Sequence, residues 1–577
     1  MQRSTNRTCR RSRTIAVAVA LLAALFPALG LTAPVGAQGA DPWDAFNQVS
    51  GANGAEYIAD GSNRALQFRG VNIKTTDPIN GASEQVLDAI EARGFNLVRL
   101  SIFWNLFEPV DDDYDQDYLD DVDQVLTWAE DRGLWVIVDF HQDVFGPAFG
   151  DYGIPEWATD DGGLPFEDTG SFLTNYLQPG VQEAWENLYE DPEIRAAQAE
   201  AWTRIATEYR DHPNVLGYDL LNEPFGKMRE GEDLFTAAAR VERVQLTAMY
   251  QRLTDAIRTV DERSWMFIEA PNLASLGIAT SLGRVDDPRV AFYPHMYNTD
   301  IETEIYNGSG DPSGYDSNFF ANWAAAITTY TDRYPVPMLV GEWGVPTPYE
   351  GLDRYIAEAL VTLEETSSGW NWFNGCLGGG YCTFGPDGED REQVDQIVQP
   401  YARAIAGLPD EHHYDPATRT LRLTYADGEA TGATELVVPS AKHYPAGWSL
   451  IVDGVPVGSG AADEPSTGVS GDLRRAVADD SVVVESPLDG VDVVSLAVPQ
   501  DGTTHAVCIT PLEAAQRCDA PLAEEPTAEP PSTGETAPSD AGAPSDAGAP
   551  ESGAAPSDGR SSPGAGESRP LSPRFTG

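Results

Sequence analysis

Val215-Leu-Gly-Tyr-Asp-Leu-Leu-Asn-Glu-Pro224 is an apolar run that breaks off at an amide, a carboxylate and a proline. A strand that is apolar on both faces must be covered on both, which is the situation of a parallel strand with helices packed outside it. Working outward, runs of the same kind recur at Leu66–Ile73, Leu97–Ile102, Trp135–Phe140, Met266–Glu269, Val290–Tyr293, Pro337–Gly341 and Gly369–Phe373. Amphipathic stretches lie between them, at Ser83–Arg93, Asp117–Asp131, Glu193–Tyr209, Leu234–Val260, Asn318–Arg333 and Leu352–Thr366. Eight such strands alternating with helices predict an α/β chain closed into a (β/α)8 TIM barrel. An open doubly wound sheet is the alternative, and the lack of a glycine-rich phosphate loop after the first strand counts against it.

Past Ile405 the period changes. Leu421, Leu423 and Tyr425 alternate with Arg422 and Thr424, and β-rich runs follow at 436–438, 450–452, 482–484 and 493–498 between Gly, Pro and Asp turns. This predicts a C-terminal antiparallel β-sandwich domain. From about Ala523 the chain is Pro, Ser, Gly, Ala and acid, with Ala-Pro-Ser-Asp-Ala-Gly starting at Ala537 and again at Ala543. Such a segment has too little apolar surface to offset the entropy of ordering. At the other end, Arg3, Arg7, Arg10, Arg11 and Arg13 precede an apolar stretch, and Val35 and Ala37 suit cleavage before Gln38. The expected organisation is a signal peptide over 1–37, a catalytic barrel over 38–408, a β-sandwich over 409–521 and a disordered acidic tail over 522–577. A retained membrane anchor is the other reading of the N-terminal segment.

A formal net charge of −55 works against binding nucleic acid or anionic membranes. Cys376, Cys382, Cys508 and Cys518 form two sequence-local pairs, which points to two short-loop disulfides and a secreted, extracellular protein. Metal binding is the rival use of these cysteines, but no histidine or C-x-x-C spacing supports it. No cofactor or metal is expected, and the chain is expected to act as a monomer.

Barrels carry function where their strands end. Those ends deliver Asn72 and Lys74, Arg99, His141 and Asp143, Asn222 and Glu223, Glu269, His295 and Tyr297, Glu342, and Trp372. Leu220–Pro224 and Val340–Gly344 each place a glutamate directly after an apolar strand, the fourth and the seventh, which face each other across a barrel mouth. Two carboxylates so placed can flank a glycosidic bond. Either glutamate alone could be an ion-pair or helix-capping residue; the pair is better explained by catalysis.

Arg69-Gly-Val-Asn, Asn96-Leu-Val-Arg99, Asp139-Phe-His-Gln-Asp143, Asn222-Glu-Pro, His295-Met-Tyr297 and Gly341-Glu-Trp-Gly together resemble glycoside hydrolase family 5. The longer Asp-Phe-His-Gln-Asp-Val-Phe with Gly-Ile-Pro-Glu-Trp-Ala-Thr is similar to its endoglycoceramidase group, over roughly residues 60–405. The resemblance implies a secreted retaining β-glycosidase that frees an intact glycan from ceramide, with a glycosphingolipid as substrate. It implies Glu223 as acid/base, its proton retained through the nearby charge of Glu342, and Glu342 as nucleophile, paired with Arg99 and the Tyr297 hydroxyl. Asn222 would bind the sugar 2-hydroxyl, His141 and His295 would donate to sugar or carboxylate, and Lys74 and Asp143 would contact glycan hydroxyls. Trp372 would stack beneath the sugar; Trp370 lies on the same face and competes for that role.

The long segment at about 144–183, after the third strand, holds Phe145, Phe149, Tyr152, Trp157, Phe166, Phe172, Tyr176 and Leu177. It either lines an apolar cleft for a lipid leaving group, with Met228, Leu234 and Phe235 completing it, or packs its rings onto the barrel. Transient apolar contact with a lipid surface would follow from the first. An endo-β-glucanase on the same barrel, and a non-catalytic glycan-binding protein, are the competing functions.

Overall fold

The computed structural model describes residues 46–75, 82–306, 315, 316, 318–460 and 482–519; the expected signal peptide and acidic tail lie outside them. The eight barrel strands are β1 Phe68–Lys74, β2 Leu97–Ile102, β3 Trp135–Phe140, β4 Val215–Asp219, β5 Trp265–Ile268, β6 Val290–Phe292 resumed as His295–Met296, β7 Val340–Trp343 and β8 Gly369–Trp372. Each is parallel to its neighbours, in the order of the chain. β6 is interrupted at Tyr293-Pro294, because proline has no N–H for the ladder. Phe292 bridges Met338 below the break and His295 pairs with Glu342 above it, so β6 joins β7 on both sides. β8 pairs with β1, Gly369 beside Phe68, and the barrel closes.

Alternation along the strands divides the core in two. Val98, Leu100, Val136, Val138, Met266 and Ile268 face the helices, in one large apolar layer. Leu97, Trp135, Ile137, Trp265, Phe267, Tyr293 and Leu339 fill the lower barrel, with Phe46, Ile58 and Leu66 among them. Two residues further up the same inward faces stand Arg99, Asp139 and Glu269 in place of apolar residues. The interior therefore passes from dry and apolar to charged within one turn of the pleat.

The outer helices begin on the caps their sequences offer: Ser83 accepts from Val86 N–H, and Asp191 accepts from the N–H groups of Glu193 and Ile194. The segment expected as one helix over Leu234–Val260 is broken by a π turn, Val241–Leu246, between Leu234–Arg240 and Thr247–Ile257. Thr247 Oγ1 donates to Glu242 C=O, a side-chain bond that loosens the regular ladder there.

Two antiparallel sheets form the second module, and Tyr57, Leu421, Leu423, Tyr425, Leu436, Trp448, Leu450 and Ile509 share its core. One sheet takes strands from Asn47–Ser50, Glu56–Ala59, Ala65–Leu66 and Tyr401–Ile405, residues that sequence patterning groups with the barrel. Chain entry and exit are thus stitched into the sandwich, and no strand period could reveal pairing across more than three hundred residues, such as Ala65 with Ile405. Cys376–Cys382 and Cys508–Cys518 are both disulfide-bonded.

At the seam, Glu364 of the helix Leu352–Thr366 lies 3.6 Å from Arg69, 3.6 Å from His412 and 3.4 Å from His413. His412 Nε2 accepts the Ala402 N–H at 3.1 Å, a role open only to the neutral ring. Burial first, then the positive charges of Arg69 and His413, hold this imidazole down at about 4, against the attraction of Glu364. A histidine whose folded value lies below its unfolded value of about 6.5 gives its full stabilisation above that value and loses it as pH falls toward 4. The loss is expected to reach about 3 kcal/mol. Unfolding midpoints recorded from pH 7 to pH 4 should drop less steeply in His412→Gln than in the parent, and equal slopes would clear His412 of the effect.

Candidate active site

Arg99 rises from β2 into the centre of the barrel mouth, fully buried. Its Nε donates to Asp219 Oδ2 at 2.9 Å, and Nη1 donates to Asn72 Oδ1 at 3.1 Å and Glu342 Oε1 at 2.5 Å. Nη2 reaches Asn222 Oδ1 and Glu269 Oε1, each at 2.9 Å, and lies 3.0 Å from Asp139 Oδ1. Five strands are thereby tied to one guanidinium. Burial opposes its charge, but Asp139, Asp219, Glu342 and Glu269 outweigh it and hold Arg99 well above its ordinary value. Asp219 is pushed up, by burial and then by the charge of Glu269.

Glu342 and Glu223 meet across this mouth. One carboxylate oxygen of each, with a ring nitrogen of His295, lie within 4.8 Å of one another. Glu342 Oε2 accepts the Tyr297 hydroxyl at 3.0 Å, and His295 Nδ1 lies 3.0 Å from Glu223 Oε1. His295 Nε2 lies 3.1 Å from Glu269 Oε1. Burial disfavours a charged His295, yet Glu269, Glu342 and the bond to Glu223 raise its value well above the usual one. These three donors are close enough for a metal ion, but all three are already engaged by Arg99, Tyr297, Glu269 and one another. At Gly341 a Cβ would stand 3.0 Å from His295 Nε2 and 3.1 Å from the Tyr293 ring, so a side chain there would press on the imidazole that meets Glu223.

Glu223 carries a backbone strain. Its φ is +40°, in the left-handed region that side chains disfavour, and it precedes Pro224. Such a conformation costs on the order of 1–3 kcal/mol and persists only where neighbours over-determine it. Its N–H donates to Glu269 Oε2 at 2.8 Å. Its carboxyl is raised above the ordinary range chiefly by burial; Glu342 and Glu269 add to this and His295 opposes it. The charge of Glu342, expected from sequence to be the cause, is a smaller contributor than burial.

On the far side, Lys74 Nζ lies 3.5 Å from Asp143 Oδ2, and His141 joins them, with Nδ1 2.6 Å from Asp139 and Nε2 3.7 Å from Asp143. Burial opposes a charge on His141, but Asp139 prevails and lifts the ring to about 9. Asp151, from the loop after β3, belongs to this group: burial and then Asp143 push its carboxyl up to about 7. No periodicity marks a loop carboxylate, so sequence offered no signal for it.

The structure corrects Trp372. Its side chain is 0% exposed and packs edge-on to Trp343 at 4.8 Å in the helix-facing layer, where no sugar can reach it. Trp370 is on that same outward face, against Phe95 and Arg69. Asn371, the residue between them, points inward and donates to Tyr293 Oη. One step on, the inward ring at the end of β8 is Phe373, with Lys74 Nζ 5.3 Å from its centroid and Tyr381 5.7 Å away. Strand parity was right in the sequence; which parity faced inward was not legible there.

The segment after β3 also resolves. Phe145 packs on Trp185, Phe149 on Phe166, Trp157 on Trp104 and Tyr176 on Phe225, so its rings mainly dress the barrel. A separate apolar groove starts at Phe225 and Gly226, directly after Glu223-Pro224. It runs between Leu234, Ala238, Pro271 and Leu273 toward Phe235, which is 57% exposed, and Ile278.

Comparison with known proteins agrees with this arrangement. Residues 57–376 match the family described as cellulase (glycosyl hydrolase family 5), and residues 399–469 match the glycoside hydrolase family 5 C-terminal domain. The chain is 28% identical to endoglycoceramidase I of Rhodococcus hoagii over 417 residues, 69% of this chain and 81% of the relative. Endo-glycoceramidase II from Rhodococcus sp., solved with ganglioside GM3, superposes with a TM-score of 0.66 at 27% identity, covering 79% of this chain and 99% of that one. The same enzyme solved as a lactosyl-enzyme intermediate gives 0.64 at 28% identity, with the same coverage.

Trp372→Leu is expected to cost on the order of 3 kcal/mol of stability and to leave KM of the folded enzyme within about twofold. A large rise in KM with an unchanged unfolding midpoint would put that ring back in the sugar site.

Proposed function

The chain belongs to glycosyl hydrolase family 5, and we propose that it hydrolyses the β-glycosidic bond between an oligosaccharide and ceramide by double displacement. The observation that carries this reading is the pair Glu223 and Glu342, with carboxylate oxygens within 4.8 Å, beside an apolar groove that starts at Phe225. Separations of about 5 Å suit direct attack by one carboxylate, whereas inversion needs room for a water. The lactosyl-enzyme intermediate of the Rhodococcus relative supports the same route.

In the first displacement a Glu342 oxygen forms a bond to the anomeric carbon as the bond to the ceramide oxygen breaks. Glu223 gives its proton to that leaving oxygen. A water then attacks the glycosyl ester, Glu223 takes the water's proton, and Glu342 is released as carboxylate. Arg99 and Tyr297 orient Glu342 before the attack. Burial of Glu223 supports its use as an acid near neutral pH. Asn222, held by Arg99 and by the Gln142 backbone, is placed for the sugar 2-hydroxyl. His295 relays between Glu223 and Glu269. Lys74, Asp143 and His141 form the glycan-facing polar wall, and Phe373 takes the stacking role first given to Trp372.

The leaving group distinguishes a glycolipid from a polysaccharide. Phe225, Leu234 and Leu273 offer it hydrocarbon contact, which supports a lipid-linked leaving group over a further sugar. Two disulfides support action outside the cytoplasm.

Mass spectrometry of products from lactosylceramide, a ganglioside and a soluble β-glucan tests the assignment. Intact glycan plus free ceramide is expected from the lipids; glucan cleavage without ceramide release would make the protein an endoglucanase. Glu342→Gln should lose at least about a thousandfold in kcat with the fold retained. The alkaline limb of kcat/KM should follow Glu223: activity is present while its carboxyl is protonated and falls as pH rises through its elevated value.

A further inference from the structure

Resting on the reading of Glu223 as acid/base, we infer that Gln142 is a positioning residue that fixes this glutamate's backbone and couples it to the loop after β3. Gln142 follows His141 and is fully buried. Its Nε2 donates to the carbonyls of both Asn222 and Glu223, at 2.9 and 3.0 Å. Two carbonyls converging on one group require an amide nitrogen there, so the side chain has a single admissible orientation. Pro224 has no N–H with which to close the turn at Glu223, and the amide of Gln142 supplies the missing donor. With Glu269 accepting the Glu223 N–H, the residue at φ +40° is gripped at both its amide and its carbonyl.

The other end of the same side chain holds the loop. Gln142 Oε1 accepts the Phe145 N–H at 2.7 Å and the Tyr176 hydroxyl at 3.3 Å, and Tyr176 Oη accepts the Val144 N–H at 3.1 Å. Val144 and Phe145 both have positive φ, +47° and +88°, so Gln142 joins two strained stretches that are far apart in sequence. Gly153 closes over it: a Cβ there would stand 2.6 Å from Gln142 Cβ. Any displacement of the loop is thus transmitted to the peptide that carries Glu223, and removal of the amide frees Glu223 to leave the proton-transfer geometry.

The test exploits leaving-group chemistry. Dinitrophenolate departs without a proton, whereas the ceramide alkoxide needs one. Gln142→Met, similar in shape but without the donor, should lose about tenfold to a hundredfold in kcat/KM on lactosylceramide. Its kcat/KM on dinitrophenyl β-lactoside, which reports glycosylation, should stay within about threefold. Gln142→Glu is the second variant: its carboxylate repels both carbonyls, and its protonated form restores one donor, so its deficit on lactosylceramide should shrink as pH falls relative to the parent. Equal losses of Gln142→Met on the two substrates, or no loss on either, would overturn the inference. If Gln142→Met does not fold, a pH-independent deficit in Gln142→Glu does so. Glu223→Ala is the reference. If it shows no leaving-group discrimination and no rescue by azide, the assignment of Glu223 itself fails; if it shows both while Gln142→Met shows neither, only the role of Gln142 falls.

Discussion

A single fully buried guanidinium holds together the mouth of this barrel. Arg99 meets Asp139, Asp219, Glu269 and Glu342, and also the side-chain carbonyls of Asn72 and Asn222. Taking one charge out of water is costly, and a buried ion pair is a poor source of net stability. Here the expense fixes geometry. The six partners come from five strands or the residues directly after them, so the fork of Arg99 sets the relative height of β1, β3, β4, β5 and β7 where their side chains must converge. Loss of the arginine would leave several buried carboxylates uncompensated, a change of the kind that costs 3–5 kcal/mol or more by itself.

The electrostatics of the two glutamates follow from where each stands in that network. Glu342 touches Arg99 and Tyr297 directly and faces positive and donor groups. Among the described residues no guanidinium pairs with Glu223; it has burial, the adjacent carboxylates and one imidazole. Two chemically identical side chains thus have opposite surroundings, as the different roles proposed for them require. His295 lies between them and is itself held by Glu269, which also accepts the Glu223 N–H. Glu269, itself buried, therefore serves both the backbone of Glu223 and the imidazole that meets its carboxyl.

Around this charged centre the fold divides its apolar surface by purpose. The lower barrel and the helix layer are closed, and the aromatic rings of the segment after β3 mostly complete that closure. Apolar surface is open to solvent beyond Glu223, at the groove bordered by Phe235 and Ile278, and also at Tyr152, Leu164, Leu173 and Leu177 of the segment after β3. A polar group of Lys74, His141 and Asp143 and an apolar groove that starts just after Glu223 both belong to the strand-end face of the barrel. A substrate with a sugar at one end and hydrocarbon at the other matches that polarity.

Much of this was legible in the chain itself. Eight apolar runs, each stopping at a polar residue, indicate a parallel sheet covered on both faces, the lack of a phosphate loop favoured a barrel over an open sheet, and Glu223 and Glu342 were marked by lying directly after such runs. Lys74, Arg99, His141, Asp143, Asn222, His295 and Tyr297 are brought together at the mouth, since strand ends are a property of local pattern. Other features are properties of approach between distant segments. Trp370 and Trp372 share a face, but only closure of β8 onto β1 decided that this face looks outward and that Phe373 looks in. The pairing of residues 47–66 with the C-terminal sheet, the strain at Glu223, the arrival of Asp151 and the grip of Gln142 were likewise decided in tertiary structure. Periodicity records which residues share a side; it does not record what the other side of the molecule brings to meet them.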